Sequence, residues 1–139
     1  MIKNFESLAL RRREGCLEIL DQREIPYIEV WTKINSVEDM IEAIQTLQVR
    51  GAPLIGVAAA QALADFSYQS SRDEFLKSAD RLRRSRPTAV NLMHAIDRLT
   101  MIAREDFNPS AISDCAQEIL ERDVELCENI ALNGQRFIE

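Results

Sequence analysis

Hydrophobic residues change their spacing along the chain, and the change separates a short β-rich region from a longer helical one. Near the start, apolar and β-branched residues form brief runs at 16–20 and 27–32, which predict two strands. Residues 5–10 predict a third strand. Because two or three short strands cannot close a core by themselves, we expect this small sheet to pack on the helices that follow.

Five segments with helical features follow the β-rich region. Ser36 predicts an N-cap, and the apolar side chains behind it fall on one helix face: Val37, Met40, Ile41, Ile44 and Leu47. Residues 53–68 are apolar on nearly every side, which is typical of a buried central helix. The later helices are predicted to begin at the capping box 71–74, at Pro87 and at Asn108, with the last running past Ile130.

These patterns predict an α+β fold that is mostly helical, a helical bundle with a small N-terminal antiparallel sheet. A length of 139 residues favours a single domain, 1–139, with the β region at 1–34 and the bundle at 35–139.

Composition excludes several classes of protein. Seventeen Lys and Arg against 23 Asp and Glu give a net charge of −6, whereas a generic nucleic-acid-binding domain is basic. We therefore expect no nucleic-acid partner. No apolar run reaches the roughly 18 residues that a membrane helix needs, so we expect no membrane partner either. Three widely spaced cysteines and a single histidine predict neither a disulfide nor a metal site, and they favour a reduced, cytoplasmic protein without a secretory signal.

Two arginines stand where a helix is predicted to begin. Arg50 is followed by Gly51, Ala52 and Pro53, and proline is favourable in the first turn of a helix. Arginine is not favoured there, because the helix macrodipole places partial positive charge at that end. Free N–H groups together with a guanidinium are typical of an anion site, above all for phosphate.

The same arrangement recurs at Arg86 and Pro87. The alternative is that each arginine is solvated or paired with a surface carboxylate, which an acidic chain makes easy. If both arginines bind one ligand, the helices that begin at Pro53 and Pro87 must start at the same end of the bundle. We interpret His94 as a surface or half-buried histidine and Cys16 as a core residue, and we find no catalytic triad, P-loop or dinucleotide motif.

Three segments together resemble a known family: ILDQREIP at 19–26, VRGAPLIGVAAA at 49–60 and SRPTAVNL at 85–92. They resemble the N-terminal domain of the methylthioribose-1-phosphate isomerases. That family shares its fold with ribose-1,5-bisphosphate isomerase and with the regulatory α, β and δ subunits of translation initiation factor 2B.

The resemblance implies a sugar-phosphate isomerase of methionine salvage that converts 5-methylthioribose 1-phosphate to 5-methylthioribulose 1-phosphate without a cofactor. It implies that Arg50, Gly51, Ala52 and Arg86 contact the substrate and that the complete protein is a homodimer. It also implies a Rossmann-like C-terminal domain, absent from this chain, that carries the catalytic cysteine and aspartate. None of the three cysteines here matches that position, so we expect the 139-residue chain to be inactive alone.

Three other interpretations stay open, and the first is that the complete protein is the related ribose-1,5-bisphosphate isomerase. The same bundle serves as a non-catalytic regulatory domain in the initiation-factor subunits, where the arginines would be structural. The third is a plain structural bundle with no site at all.

Overall fold

The computed structural model describes residues 3–138, which form a small sheet and five helices. The strands are β1 (Phe5–Glu6), β2 (Leu10–Arg13), β3 (Cys16–Leu20) and β4 (Trp31–Ile34). The helices are α1 (Val37–Gln45), α2 (Ala52–Ser67), α3 (Arg72–Arg84), α4 (Val90–Glu105) and α5 (Pro109–Gln135). The strands pair antiparallel in the order β1-β2-β3-β4, so the predicted fold class is confirmed.

The second predicted strand is displaced in the structure. Pairing with β3 begins only at Trp31, which lies opposite Leu20, and it ends at Ile34 opposite Leu17. Residues 27–30 form a turn and loop instead, because Tyr27 and Ile28 are exposed and have no apolar face to cover. The β propensity of the segment was therefore a misleading signal.

Strand β2 was missed because it carries three consecutive arginines at 11–13. The expected strand over 5–10 covers only β1 and the first residue of β2. Each arginine binds a carboxylate: Arg11 binds Glu18, Arg12 binds Asp65 and Arg13 binds Glu6. Charge pairing across the sheet and onto the bundle therefore replaces the alternation of apolar residues that usually reveals a strand.

Helix α1 begins as predicted, since the hydroxyl of Ser36 accepts from the N–H of Asp39 and the Asp39 carboxylate accepts from the N–H of Ser36. It ends earlier than the apolar spacing suggested. Leu47 lies outside the helix with a φ of 63° and is exposed. The prediction that Leu47 extends the buried face of α1 is wrong, because the chain has already turned toward α2.

Helix α2 is the centre of the molecule. It packs on the four other helices and on β3, and its buried residues include most of its length from Ile55 to Ser67. Leu10, Leu17 and Ile19 of the sheet belong to the same core as the helices. The last third of α5 is largely exposed, including Ile130 and Leu132. No helix among the described residues is long and apolar enough to cross a membrane.

A buried guanidinium joins the sheet to α2. Arg12 is 1% exposed, and it donates to the Asp65 carboxylate at 2.8 Å and to the Gln61 side-chain oxygen at 3.1 Å. Gln61 in turn donates to the carbonyl of Ala116 on α5 at 3.1 Å. Burial raises the pKa of Asp65, while the hydrogen bond from Arg12 opposes that shift. Removing one partner of such a pair leaves an uncompensated buried group.

We predict that Arg12→Ala lowers the free energy of unfolding by about 3–5 kcal/mol, because Asp65 loses its charge partner and a large side chain leaves the core. Arg13→Ala is the matched control one residue along the same strand. Its ion pair with Glu6 is exposed, so the expected loss is below about 1 kcal/mol. Urea unfolding of both variants measures the difference, and equal losses would contradict a stabilising role for the buried Arg12–Asp65 pair.

Candidate functional site

The five helices do not begin in the same way. Ser36, Ser71 and Asn108 cap α1, α3 and α5 with side-chain hydrogen bonds to the first backbone N–H groups. Helices α2 and α4 have no side-chain cap, and the residues at their N-cap positions are Gly51 and Ala89. Uncapped N–H groups need another acceptor, which is water or a bound anion.

The start of α2 has the composition expected of an anion site. Gly51 adopts a φ of 99°, a conformation that an L side chain rarely takes, and the helix begins at Ala52 with Pro53 in its first turn. Among residues 3–138, the N–H groups of Gly51, Ala52 and Leu54 have no acceptor. Arg50 directly precedes them and is exposed.

The start of α4 differs from the prediction. Pro87 is not in the helix: residues 85–88 form bends and turns, Ala89 donates its N–H to the carbonyl of Arg86 at 3.0 Å, and α4 begins at Val90. The fixed φ of Pro87 therefore favours a turn that precedes the helix, not the first turn of the helix itself. Within the described part of the chain, the N–H groups of Val90, Asn91 and Leu92 have no acceptor, so this start is as open as that of α2.

The two open helix starts lie side by side. A Cβ added to Gly56, in the second turn of α2, would stand 2.8 Å from the backbone oxygen of Asn91, in the first turn of α4. Only glycine permits this approach of the two backbones. The expected geometry, in which both helices start at the same end of the bundle, is therefore what the structure has.

The two arginines differ from most arginines of the molecule. Eight arginines bind carboxylates within 4 Å: 11, 12, 13, 23, 81, 83, 84 and 98. One of these, Arg83, lowers the pKa of Asp97 through a side-chain hydrogen bond. For residues 3–138, no ion pair or side-chain hydrogen bond engages the guanidinium of Arg50 or Arg86. Of the alternative of a solvated or a paired arginine, pairing with a surface carboxylate is thus not what residues 3–138 show, and the solvated arginine stays open.

A cleft of about 390 Å³ opens beside the two helix starts, between α2, α4 and α5. Its wall includes Pro53 and Asn91 from the helix starts, and an apolar strip made by Val57, Ile119 and Leu126. His94 is exposed, as predicted for a surface histidine, but it also lines this cleft.

The α5 side of the cleft was not predicted. Ile119, Arg122, Asp123 and Leu126 share one face of that helix, and their spacing of three and four residues was the available signal. In the described range 3–138, no three His, Cys, Asp or Glu side chains are grouped closely enough to hold a metal ion.

Comparison with known proteins shows which family the chain belongs to. Residues 48–139, which include both open helix starts, match the initiation factor 2 subunit family. The chain belongs to that family. Among curated relatives, methylthioribose-1-phosphate isomerase of Enterobacter sp. (strain 638) is 38% identical to the chain over 140 residues. The enzyme of the same name from Serratia proteamaculans is 40% identical over 138 residues.

Each of these relatives is much longer than this chain. The alignments cover 99% and 98% of the chain but only 41% and 40% of the two isomerases. The chain thus spans about two fifths of the length of the curated relatives it matches.

Two solved structures share the fold of this chain. The 5-methylthioribose 1-phosphate isomerase of Pyrococcus horikoshii superposes with a TM-score of 0.76 and 32% identity, over 84% of this chain and 36% of that chain. Subunit delta of the translation initiation factor eIF-2B from A. fulgidus superposes with a TM-score of 0.70 and 29% identity, over 84% of this chain and 37% of that one.

The contact at Gly56 yields a stability prediction. Gly56→Ala forces the backbones of α2 and α4 apart, and we expect a loss of about 1–3 kcal/mol in the free energy of unfolding, as for overpacked cores. Gly134→Ala in α5 is the matched control, since among the described residues the added Cβ meets no atom within 4 Å apart from the neighbouring backbone of its own helix, and the stability of this variant should be unchanged or slightly higher. Urea unfolding measures both, and a stable Gly56→Ala protein would show that the helix starts are not held this tightly.

Proposed function

We propose that this chain is the N-terminal substrate-binding part of an aldose–ketose isomerase that converts 5-methylthioribose 1-phosphate to 5-methylthioribulose 1-phosphate. The observation that carries the proposal is the pair of uncapped helix starts, side by side, each preceded by an arginine that has no carboxylate partner among residues 3–138. The similarity to isomerases that act under that name supports the choice of reaction.

The chemistry of the two helix starts suits a sugar phosphate. A phosphate dianion accepts several hydrogen bonds at once, and the N–H groups of Gly51 and Ala52 offer two from α2. Arg50 adds a planar guanidinium that binds a phosphate or sugar oxygen through two N–H groups, and Arg86 adds a second from the α4 side. A bound anion would also accept hydrogen bonds from the uncapped N–H groups, so ligand binding would stabilise the first turns of α2 and α4.

The proposed reaction needs a proton donor and acceptor as well as a binding site. Moving hydrogen between C1 and C2 of a sugar requires an acid/base pair of suitable pKa held at the reacting carbons. Cys115 of α5 lies in the hydrophobic core of the protein. This burial raises the pKa of its thiol, which keeps the group protonated and unreactive at neutral pH. We propose that the catalytic groups lie outside this chain, that no cofactor takes part, and that the longer protein is a cytoplasmic homodimer.

A second candidate function is a regulatory or interaction domain. The structural similarity to the A. fulgidus initiation-factor subunit favours it. In that case the bundle binds a protein partner, and Arg50 and Arg86 have no small-molecule ligand. Ligand binding therefore separates the two candidates.

We predict that 5-methylthioribose 1-phosphate and inorganic phosphate bind the 139-residue chain in the millimolar range and shift the amide resonances of Gly51, Ala52, Asn91 and Leu92. Arg50→Ala and Arg86→Ala should each weaken binding by about tenfold or more, because each removes hydrogen bonds to a charged group. Lysine at either position should restore only part of the affinity, since it lacks the planar fork.

NMR titration of the ¹⁵N-labelled chain measures these affinities residue by residue. Arg104→Ala is the matched control: Arg104 is exposed near the other end of α4 and has no carboxylate partner among residues 3–138. It should bind like the wild type. Binding that is unchanged in both Arg50→Ala and Arg86→Ala would favour the regulatory function instead.

We also predict that the 139-residue chain does not turn over 5-methylthioribose 1-phosphate. Enzymes of ordinary activity reach roughly 1 to 10³ turnovers per second, and the purified chain should show none above the uncatalysed background. Following the ketose product by NMR tests this. Turnover that is abolished by Asp123→Asn would show that the cleft supplies its own acid/base group.

A further inference from the structure

The segment ILDQREIP, which belongs to the sequence resemblance, lies away from the two helix starts along the chain but touches one of them in the fold. It leaves β3 at Leu20 and forms a turn at 21–24. Gln22 of this turn donates its backbone N–H to the carbonyl of Gln48 at 3.0 Å, and its side-chain Nε2 to the carbonyl of Arg50 at 3.4 Å.

Hydrogen bonds between Asp21 and Arg23 close the turn. The buried Asp21 carboxylate accepts from the backbone N–H of Arg23 at 3.1 Å and from its guanidinium at 2.9 and 2.6 Å. These bonds from Arg23 hold the pKa of Asp21 below its ordinary value, so the carboxylate is ionised at neutral pH and the clamp is lost only as the pH falls through that lowered pKa. The backbone N–H of Asp21 also donates to the carbonyl of Val30 at 2.8 Å, which ties the base of the loop together.

The loop that Gln22 touches is otherwise weakly held at its far end. Between α1 and α2, Leu47 and Val49 donate backbone N–H bonds to the carbonyls of Ile44 and Ala43, both at 3.3 Å, and Val49 is buried. After Val49, no backbone hydrogen bond restrains Arg50 within the described residues before α2 begins. The side-chain amide of Gln22 donates a hydrogen bond to the carbonyl of Arg50 at this point.

The hydrogen bond from Gln22 orients the peptide bond between Arg50 and Gly51. In a trans peptide the carbonyl and the N–H of the next residue point to opposite sides. Holding the Arg50 carbonyl toward Gln22 therefore turns the Gly51 N–H away from Gln22. The same peptide fixes where the Arg50 side chain leaves the backbone. One side-chain amide thus sets two of the groups that we place in the anion site.

We propose that Gln22 is a positioning residue for that site: it holds the Arg50–Gly51 peptide so that the Gly51 N–H and the Arg50 guanidinium reach the same anion. This role rests on the proposed function, since it presupposes that the start of α2 binds a phosphate group. Gln22 acts through Arg50 and Gly51 and does not itself contact the ligand.

The test is Gln22→Met, which keeps the size of the side chain and the backbone bond to Gln48 but removes the donor to Arg50. We expect inorganic phosphate and 5-methylthioribose 1-phosphate to bind about three- to tenfold more weakly in the ¹⁵N-labelled chain, as for the loss of one neutral hydrogen bond. Gln48→Met is the matched control. Its amide donates to the Thr46 hydroxyl at 3.4 Å in the same loop and not to Arg50, so binding should be unchanged.

If Gln22 only stabilised the fold, its substitution would lower stability but would not give the following pattern of ligand affinities. In an Arg50→Ala background, Gln22→Met should cost less affinity than in the wild type, because one of the two groups that it positions is gone. In an Arg86→Ala background the full penalty should remain, since Arg86 lies on a different loop. Gln22→Glu is the second variant, with the same shape and an acceptor in place of the donor, and it should weaken binding at least as much as Gln22→Met.

The outcomes separate the two proposals. If the wild type binds phosphate and both Gln22 variants bind equally well, the positioning role is overturned while the proposed function stands. Equal penalties in the Arg50→Ala and Arg86→Ala backgrounds would likewise overturn it. If the wild type binds neither inorganic phosphate nor the sugar phosphate, the proposed function fails and the positioning role fails with it.

Discussion

The close approach of α2 to α4 is the contact on which the rest of the molecule depends. Gly56 lets the backbone of α2 touch that of α4 at Asn91, and the buried residues Ala58, Ala59 and Ala60 add little side-chain volume to the next turn of α2. Small residues permit this spacing, which brings two helix starts together that are far apart in the sequence. The candidate site is thus a result of core packing, because neither helix start would make a two-sided site alone.

Much of the architecture could be predicted from local patterns. The capping residues Ser36, Ser71 and Asn108 marked three helix starts correctly, because each satisfies N–H groups through its own side chain. The apolar character of α2 on all sides indicated its central position. In these places local chemistry and tertiary structure agree.

The failures have an equally physical cause. Strand β2 is invisible to a hydrophobic pattern, since its arginines are satisfied by carboxylates up to 53 positions away. The segment around Tyr27 has strand-like residues, but their side chains are exposed. The open helix starts were predicted from Arg50 and Arg86. The spacing of residues 119–126 on α5 indicates a shared helix face, but which part of the bundle that face meets depends on how α5 packs. The sequence resemblance named the segment at 19–26, but only the fold shows what it touches.

The sheet contacts α2 at both of its ends. Toward the C-terminal end, Arg12 of β2 holds Asp65, and just before the N-terminal end the turn that follows β3 holds the carbonyl of Arg50. Sixteen residues of helix span about 24 Å, so the sheet and the turn after β3 are connected to the chain near both ends of α2. Local opening of the hairpin formed by β2 and β3 would then release both ends of the helix together. The amides of this hairpin and those of the loop before α2 should exchange with solvent as one cooperative unit.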